Sequence, residues 1–86
     1  MPDPFWGKYR GTVIDSADPK KLGRLKVSVP AVMTAGRAAW AMPCVPYTGR
    51  PPAKRDIPPA RTQIWVEFEN GDLDYPIWVG CFWTAP

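Results

Sequence analysis

The chemistry available to this 86-residue chain is limited by its side chains. It contains two cysteines, Cys44 and Cys81, and no histidine. Serine and cysteine nucleophiles are commonly activated by a histidine base, so catalysis of the triad type lacks an essential group. Both cysteines lie in apolar sequence, where a small buried thiol is the expected role and a bridge between them is the alternative. We therefore predict neither a catalytic triad nor a zinc site.

Two aspartates, Asp72 and Asp74, are the other candidates for chemistry. They follow Asn70 in a turn-forming segment, where aspartate is favoured because it hydrogen-bonds to nearby backbone. A catalytic pair of carboxylates would need an apolar cleft to raise one pKa, and a calcium loop of the EF-hand type would need a distal glutamate. The sequence supplies neither, and it has no glycine-rich phosphate loop. We predict a protein that is not an enzyme and holds no metal or cofactor.

These residues belong to a predicted β-hairpin over residues 62–83, around which the rest of the chain is organised. In its first strand Ile64, Val66 and Phe68 alternate with Trp65 and polar residues. A period of two is typical of a strand with one buried face.

The reversal between the two strands is predicted at Asn70-Gly71, which adopt positive φ angles readily. A two-residue turn would place Glu69 opposite Asp72, and like charges facing each other across a ladder repel. We therefore expect a longer loop, over residues 70–74.

The second strand of the hairpin, residues 75–83, is apolar on both faces. We expect Ile77, Val79 and Cys81 to face the core, which turns the intervening aromatic residues outward. Large aromatics on an outer face anchor interfaces, unless the N-terminal arm or a loop folds over them. The candidate interface residues are Phe5, Trp6, Trp40, Trp65, Glu67, Trp78, Phe82 and Trp83.

Three further strands are predicted over residues 8–15, 23–29 and 39–47. The middle one is the most regular, with leucine and valine facing inward and polar residues facing water. Pro43 and Pro46 confine the third strand to an edge or to bent positions, because proline cannot donate to the ladder.

Five short strands without a convincing helix predict an all-β fold, a small five-stranded OB-fold barrel, with an SH3-like barrel as the competitor. The barrel spans residues 8–83, between an arm at 1–7 and a short C-terminal end at 84–86. A proline-rich loop at residues 48–61 replaces the usual helix of the OB fold. Gly11 lies where a barrel corner needs a bulge or a sharp bend.

Charge is unevenly distributed along the chain. All eleven lysines and arginines lie between Lys8 and Arg61, whereas four of the eight acids and no basic residue follow Arg61. This asymmetry suits head-to-tail packing of copies, and a chance distribution of surface charge is the alternative.

An OB barrel also suggests binding of single-stranded nucleic acid. Few aromatics accompany the basic residues, only Trp40 and an inward Tyr9, so nucleic acid is the less favoured partner. The basic stripe of this alternative consists of Lys8, Arg10, Arg24 and Lys26.

A family likeness is carried by segments along most of the chain. These are RGTV at 10–13, GRLKV at 23–27, WA at 40–41, PP at 58–59, QIWVEFENGD at 63–72 and YPIWVG at 75–80. Together they resemble the OB-fold domain of contractile-tail spike and baseplate proteins. That family includes phage baseplate assembly protein V, the tail-lysozyme spike of T-even phages, VgrG proteins of type VI secretion, and spikes of extracellular contractile injection systems. The most specific part is WVEFENGDLDYPIWVG.

The resemblance implies a non-catalytic structural protein that forms a homotrimer at the axis of a baseplate. Its expected partners are a hub protein and a spike tip or β-helix protein, with no membrane span. It implies synthesis in the bacterial cytoplasm and a place in a virion tail baseplate or injection-system particle. The chain departs from the family by ending soon after the fifth strand, as an excised domain or a stand-alone ring component would. It also has Arg61 where the family usually has glycine.

Overall fold

Five strands supply the architecture of the chain, whose computed structural model describes residues 4–34, 36–53 and 56–84. They are β1 Tyr9–Asp15, β2 Leu25–Ser28, β3 Ala39–Pro43, β4 Gln63–Phe68 and β5 Pro76–Cys81. The strands close into a barrel in the order β1-β2-β3-β5-β4. Neighbours are antiparallel except β3 and β5, which are parallel. The barrel confirms the predicted all-β, five-stranded fold.

The core lies inside the barrel and follows from the alternation of apolar residues along the strands. β4 is alternately half-buried and buried from Gln63 to Phe68, as predicted. Complete burial of an aliphatic side chain contributes about 1.5–3 kcal/mol, so this interior is the main source of stability. The buried apolar residues are Val13, Leu25, Val27, Val29, Met33, Ala41, Ile64, Val66, Phe68 and Trp78.

The loop between β4 and β5 is the longer one that charge repulsion predicts. The Glu69 N–H donates to the Tyr75 carbonyl at 2.9 Å, closing the loop over residues 70–74. A short 3-10 turn over Glu69–Gly71 begins it, and Asn70 and Gly71 have φ angles of 53° and 73°. Both residues adopt the positive φ expected of them.

The face assignment of β5 is wrong, because the pairing with β4 sets the opposite phase. Trp78 lies directly opposite Val66, and Pro76 lies opposite Phe68. Directly paired residues share a face of the sheet, so Trp78 points into the core and is only 4% exposed. Cys81, expected in the core, is exposed.

A β-bulge in β5 also contributes to the difference between the predicted and the observed faces of this strand. The register between β4 and β5 shifts after Trp65, which pairs with Gly80, so that Val79 has no partner on β4. A bulge bends the strand and interrupts the alternation of its faces. Val79 and Ile77, both expected in the core, are half-buried.

Gly11 is needed for close packing, while the bulge of β1 lies elsewhere. The register between β1 and β2 shifts between Val13 and Asp15. A Cβ on Gly11 would lie 3.0 Å from Val66 Cγ2 and 3.1 Å from the Ser28 carbonyl oxygen. A side chain here would therefore fit only if Val66 or the backbone at Ser28 moved by a few tenths of an ångström.

Strand β3 is shorter than predicted and ends at Pro43. It pairs with β5 through only two residue pairs, Met42 with Ile77 and Pro43 with Trp78. Proline cannot extend the ladder as a donor, which explains why the strand stops here.

The proline-rich loop contains no strand and no α-helix among residues 48–53 and 56–61. It nevertheless packs on the barrel. Pro52 and Ile57 lie against Gly23, and the Arg61 N–H donates to the Val13 carbonyl at 2.8 Å. No helix in the described ranges is long and apolar enough to cross a membrane.

The N-terminal arm docks on its own barrel through Phe5. The Phe5 N–H donates to the Gly71 carbonyl at 2.9 Å, and the Phe5 ring meets Tyr9 and Phe68 edge to face, each at 6.5 Å between centroids. Trp6, in contrast, is 64% exposed. The two adjacent aromatics of the arm therefore have different environments.

Replacing Trp78 tests the corrected face assignment. Trp78→Ala should lower the free energy of unfolding by about 3–5 kcal/mol, because it leaves a cavity in the core. Trp83→Ala is the control, since Trp83 is 90% exposed and its loss should change stability by less than about 0.5 kcal/mol. Urea unfolding of both variants makes the comparison. Equal effects would contradict the assignment.

Gly11 offers a second test of packing. Gly11→Ala should destabilise the barrel by about 1–3 kcal/mol, because the new methyl group overpacks the contact with Val66 and Ser28. Thr12→Ala on the same strand is the control, since it only removes atoms from a half-buried position. Thermal unfolding followed by circular dichroism measures both, and an alanine variant as stable as the native chain would refute the close contact.

Candidate interaction surface

An aromatic cluster lies on the outer wall of the barrel. The rings of Trp65 and Phe82 are 4.6 Å apart with an interplanar angle of 35°. The guanidinium carbon of Arg10 lies 5.6 Å from the Trp65 centroid and 5.1 Å from that of Phe82. Arg10 and Trp65 are direct partners in the β1–β4 ladder, so the barrel itself sets this contact. We call Arg10, Trp65 and Phe82 the wall cluster.

The wall cluster keeps a positive charge. None of the ion pairs among the described residues includes Arg10. A guanidinium over an aromatic ring at the surface gains about 0.5–1 kcal/mol or more and remains able to bind a carboxylate. The cluster therefore consists of two half-buried aromatic rings and an exposed arginine that has no ion-pair partner among the described residues.

A second arginine, Arg24, also lies over an aromatic ring but forms an ion pair within the chain. The guanidinium carbon of Arg24 lies 5.2 Å from the Trp40 ring centroid, and its Nη2 donates to the Asp18 carboxylate at 2.8 Å. The side chains of Arg24 and Asp18 are 16% and 4% exposed. Arg24 is thus neutralised within the chain, unlike Arg10.

The predicted basic stripe is largely engaged in contacts within the chain. Lys8 lies 3.4 Å from the Glu67 carboxylate, Arg10 belongs to the wall cluster and Arg24 is bound to Asp18. Lys26 is half-buried and has no ion-pair partner in the part of the chain that the structure describes. The stripe does not present four available cations to a phosphate backbone.

The candidate interface residues fall into separate places. Trp65, Phe82 and the partly exposed Glu67 lie on the wall, whereas Trp40 lies across the barrel beneath Arg24. Trp83 and Trp6 are exposed beyond the strands, while Phe5 and Trp78 pack within the fold. Burial removes Trp78 from any surface of the folded chain.

The sequence matches a family of proteins over most of its length. The matching family model is that of the Type VI secretion system/phage-baseplate injector OB domain, and it covers residues 9–83. The chain belongs to this family. A comparison with curated proteins gives no match. The family confirms the resemblance seen in the sequence and supports a structural role in a baseplate or injector particle.

Both cysteines of this injector OB domain are free and exposed. The expectation of buried thiols is wrong, because Cys44 lies beyond the last residue of β3 and Cys81 lies after the bulge of β5. Within the described ranges, no group of three or more histidine, cysteine or acidic side chains is placed to hold a metal ion.

Asp18 organises the β1–β2 loop, a role that the sequence analysis did not assign. Its carboxylate accepts hydrogen bonds from the side chain of Arg24 and from the backbone N–H groups of Lys20, Leu22 and Arg24. Chiefly through Arg24, these bonds hold the pKa of Asp18 well below its usual range, although burial opposes the shift. An aspartate directly before a proline in a polar turn is the signal that could have indicated this role.

Stability should depend on pH through Asp18. Since its pKa is lower in the folded chain than in the unfolded chain, its contribution is complete above about pH 4 and is lost as pH falls further. Asp18→Asn should therefore be less stable than the native chain at pH 7, with the difference shrinking below about pH 4. Urea unfolding across this range measures it.

Asp15→Asn is the matched control for this titration. Among the described residues, the Asp15 carboxylate accepts one backbone hydrogen bond, from the Ala17 N–H at 2.8 Å, and forms no ion pair with an arginine. Its substitution should cost less stability at pH 7. A difference between the native chain and Asp18→Asn that stays constant down to about pH 2 would contradict the proposed titration.

Proposed function

We propose that this injector OB domain is a non-catalytic structural module that self-associates as a trimer about the axis of a baseplate or injector and joins a hub to a tip. The observation that carries the proposal is the wall cluster of Arg10, Trp65 and Phe82. Aromatic and arginine side chains are the residues most enriched among the energetic centres of protein interfaces.

The position of the wall cluster suits a contact between copies. Arg10 and Trp65 are fixed by β1 and β4, and Phe82, directly after β5, is held by its N–H, which donates to the Gln63 carbonyl at 3.2 Å. Glu67 lies two residues from Trp65 on the same strand, and its contact with Lys8 is long and exposed. An exposed pair of this kind contributes only about 0.2–1 kcal/mol and exchanges easily for a partner.

A ring of three copies needs a heterologous interface, in which two different patches of each copy meet. One patch is the wall cluster, with the Arg10 cation and its aromatic rings, and its complementary partner is a carboxylate on the next copy. A heterologous contact closes into a ring when the rotation between neighbouring copies is an integer fraction of a full turn, and a trimer is such a ring. The family supports a place for the domain in a baseplate or injector.

Joining a hub to a tip requires two distinct ends. The barrel provides them, because the loops at its two ends come from different parts of the sequence. Under this proposal the wall cluster makes the ring, and the loops make the axial contacts.

Sedimentation equilibrium tests self-association. The native chain should have a mass three times that of the 9.6 kDa monomer, and Trp65→Ser should shift it to the monomer by weakening assembly at least about tenfold. Met42→Ser is the matched control, because Met42 is an exposed apolar residue of β3 that lies outside the wall cluster. Circular dichroism verifies that both variants remain folded.

Two results would contradict the proposal. One is a native chain that stays monomeric at every concentration tested, and the other is a trimer that Trp65→Ser leaves unchanged. A monomer that binds a single-stranded oligonucleotide tightly would favour the nucleic-acid alternative instead.

A further inference from the structure

The topology of the barrel separates the charges of the chain into two ends. β1, β4 and β5 meet such that the start of β1, the end of β4 and the start of β5 lie together. At this end lie the N-terminal arm, the β2–β3 loop and the β4–β5 loop, and we call it the acidic end. The β1–β2 loop, the proline-rich loop and the residues after β5 lie at the opposite end, which we call the basic end.

The acidic end has more carboxylates than cations among its described residues. Its two cations are already bound, Lys8 to Glu67 at 3.4 Å and Arg37 to Asp74 at 2.7 Å. Glu69 and Asp72 are exposed and have no ion-pair partner among the described residues. This end therefore keeps a negative charge after its internal pairs are formed.

The basic end has the opposite excess. The exposed carboxylates at this end, Asp15 and Asp56, each accept a backbone hydrogen bond, from Ala17 at 2.8 Å and from Ala53 at 3.2 Å. No ion pair of the described residues involves the exposed cations of this end. These cations are Lys20, Lys21, Arg50 and Arg61.

Exposed aromatic residues also collect at the two ends. Trp6 and Tyr75 are 64% and 61% exposed at the acidic end, and Tyr47 and Trp83 are 95% and 90% exposed at the basic end. No other aromatic side chain in the described ranges belongs to the exposed class. Aromatic residues concentrated in this way mark surfaces that are covered in an assembly.

A groove at the basic end can receive an aromatic side chain. It has a volume of about 690 Å³ and runs between the proline-rich loop and the residues after β5. Pro58, Pro59 and Trp83 contribute apolar surface, Arg61 contributes a cation, and Asp56 contributes a carboxylate that accepts the Ala53 N–H. Its walls can therefore receive an aromatic ring, with Arg61 available to a carboxylate that accompanies the ring.

We propose that copies of this chain stack head to tail, with the acidic end of one copy on the basic end of the next. Trp6 enters the groove, and Glu69 and Asp72 face Arg50 and Arg61 of the neighbouring copy. A second copy accounts for both ends together, whereas a polyanion would account for the basic end alone. Phe82 lines the groove and also belongs to the wall cluster, whereas Arg10 and Trp65 do not line the groove, so substitutions of Arg10 or Trp65 test the lateral ring separately from this axial contact.

Charge exchange tests the axial contact. In sedimentation equilibrium at about 0.02 M salt, the native chain should exceed its ring mass as concentration rises, and about 0.5 M salt should reverse this because the charges are exposed. Glu69→Lys/Asp72→Lys and Arg50→Glu/Arg61→Glu should each fail to stack. An equimolar mixture of the two variants should stack again. The first variant keeps a native basic end and the second keeps a native acidic end, so these two ends can pair.

The aromatic part of the contact has its own test. Trp6→Ser should weaken stacking about tenfold or more, as expected for an anchor in a pocket. Ile14→Ser is the control, because Ile14 is an exposed apolar residue of β1 that does not line the groove. Circular dichroism of each variant confirms that the barrel is intact.

The outcomes separate the two proposals. If the mass of the native assembly never exceeds that of a trimer, stacking is overturned and the ring proposal stands. If the mass instead grows in steps of one chain, stacking is supported and the ring proposal is overturned. Failure of the mixed variants to stack also overturns the axial contact. The axial contact is also overturned if the native chain does not stack but binds a short single-stranded oligonucleotide, and if Arg50→Glu/Arg61→Glu abolishes that binding.

Discussion

The structure depends on the pairing that sets Trp78 opposite Val66. This register brings the largest side chain of β5 into the barrel, where its indole N–H donates to the Gly23 carbonyl at 3.0 Å. A buried indole needs such a partner, and the bond ties β5 to the residue that begins the approach to β2. Gly23 also has no room for a side chain, since a Cβ would lie 2.9 Å from Pro52. One buried residue thus holds together the last strand, the first loop and the proline-rich loop.

The same register explains which part of the fold could be predicted from the sequence. The number and order of the strands, the β4 alternation and the length of the β4–β5 loop follow from local patterns and were predicted correctly, whereas β3 is shorter than predicted. The faces of β5 do not follow from its own sequence, because both faces are apolar. The predicted loop over residues 70–74 nevertheless pairs Phe68 with Pro76, and this pairing already places Trp78 on the face of Val66. The information was therefore present in the turn.

Side-chain partners were less predictable than strands. The contact of Arg10 with Trp65 joins two strands, and that of Arg24 with Asp18 joins the two ends of an irregular loop, so no strand periodicity indicates either of them. These contacts decide whether each cation is available to a partner, since Arg24 is neutralised and Arg10 is not. The charge asymmetry of the sequence, in contrast, has a spatial counterpart because the acidic β4–β5 loop lies at one end of the barrel, and the β1–β2 loop and the proline-rich loop, which carry cations without an ion-pair partner among the described residues, lie at the other.

The direction of the strands determines how the barrel bears a mechanical load along its axis. All five run between the two ends of the barrel, and ladder hydrogen bonds lie across the strands. A pull or push applied from end to end therefore loads many of these bonds in shear at once instead of peeling them apart one after another. The exception is the seam between β3 and β5, where two residue pairs close the barrel. Under axial load this seam is the place where the wall yields first.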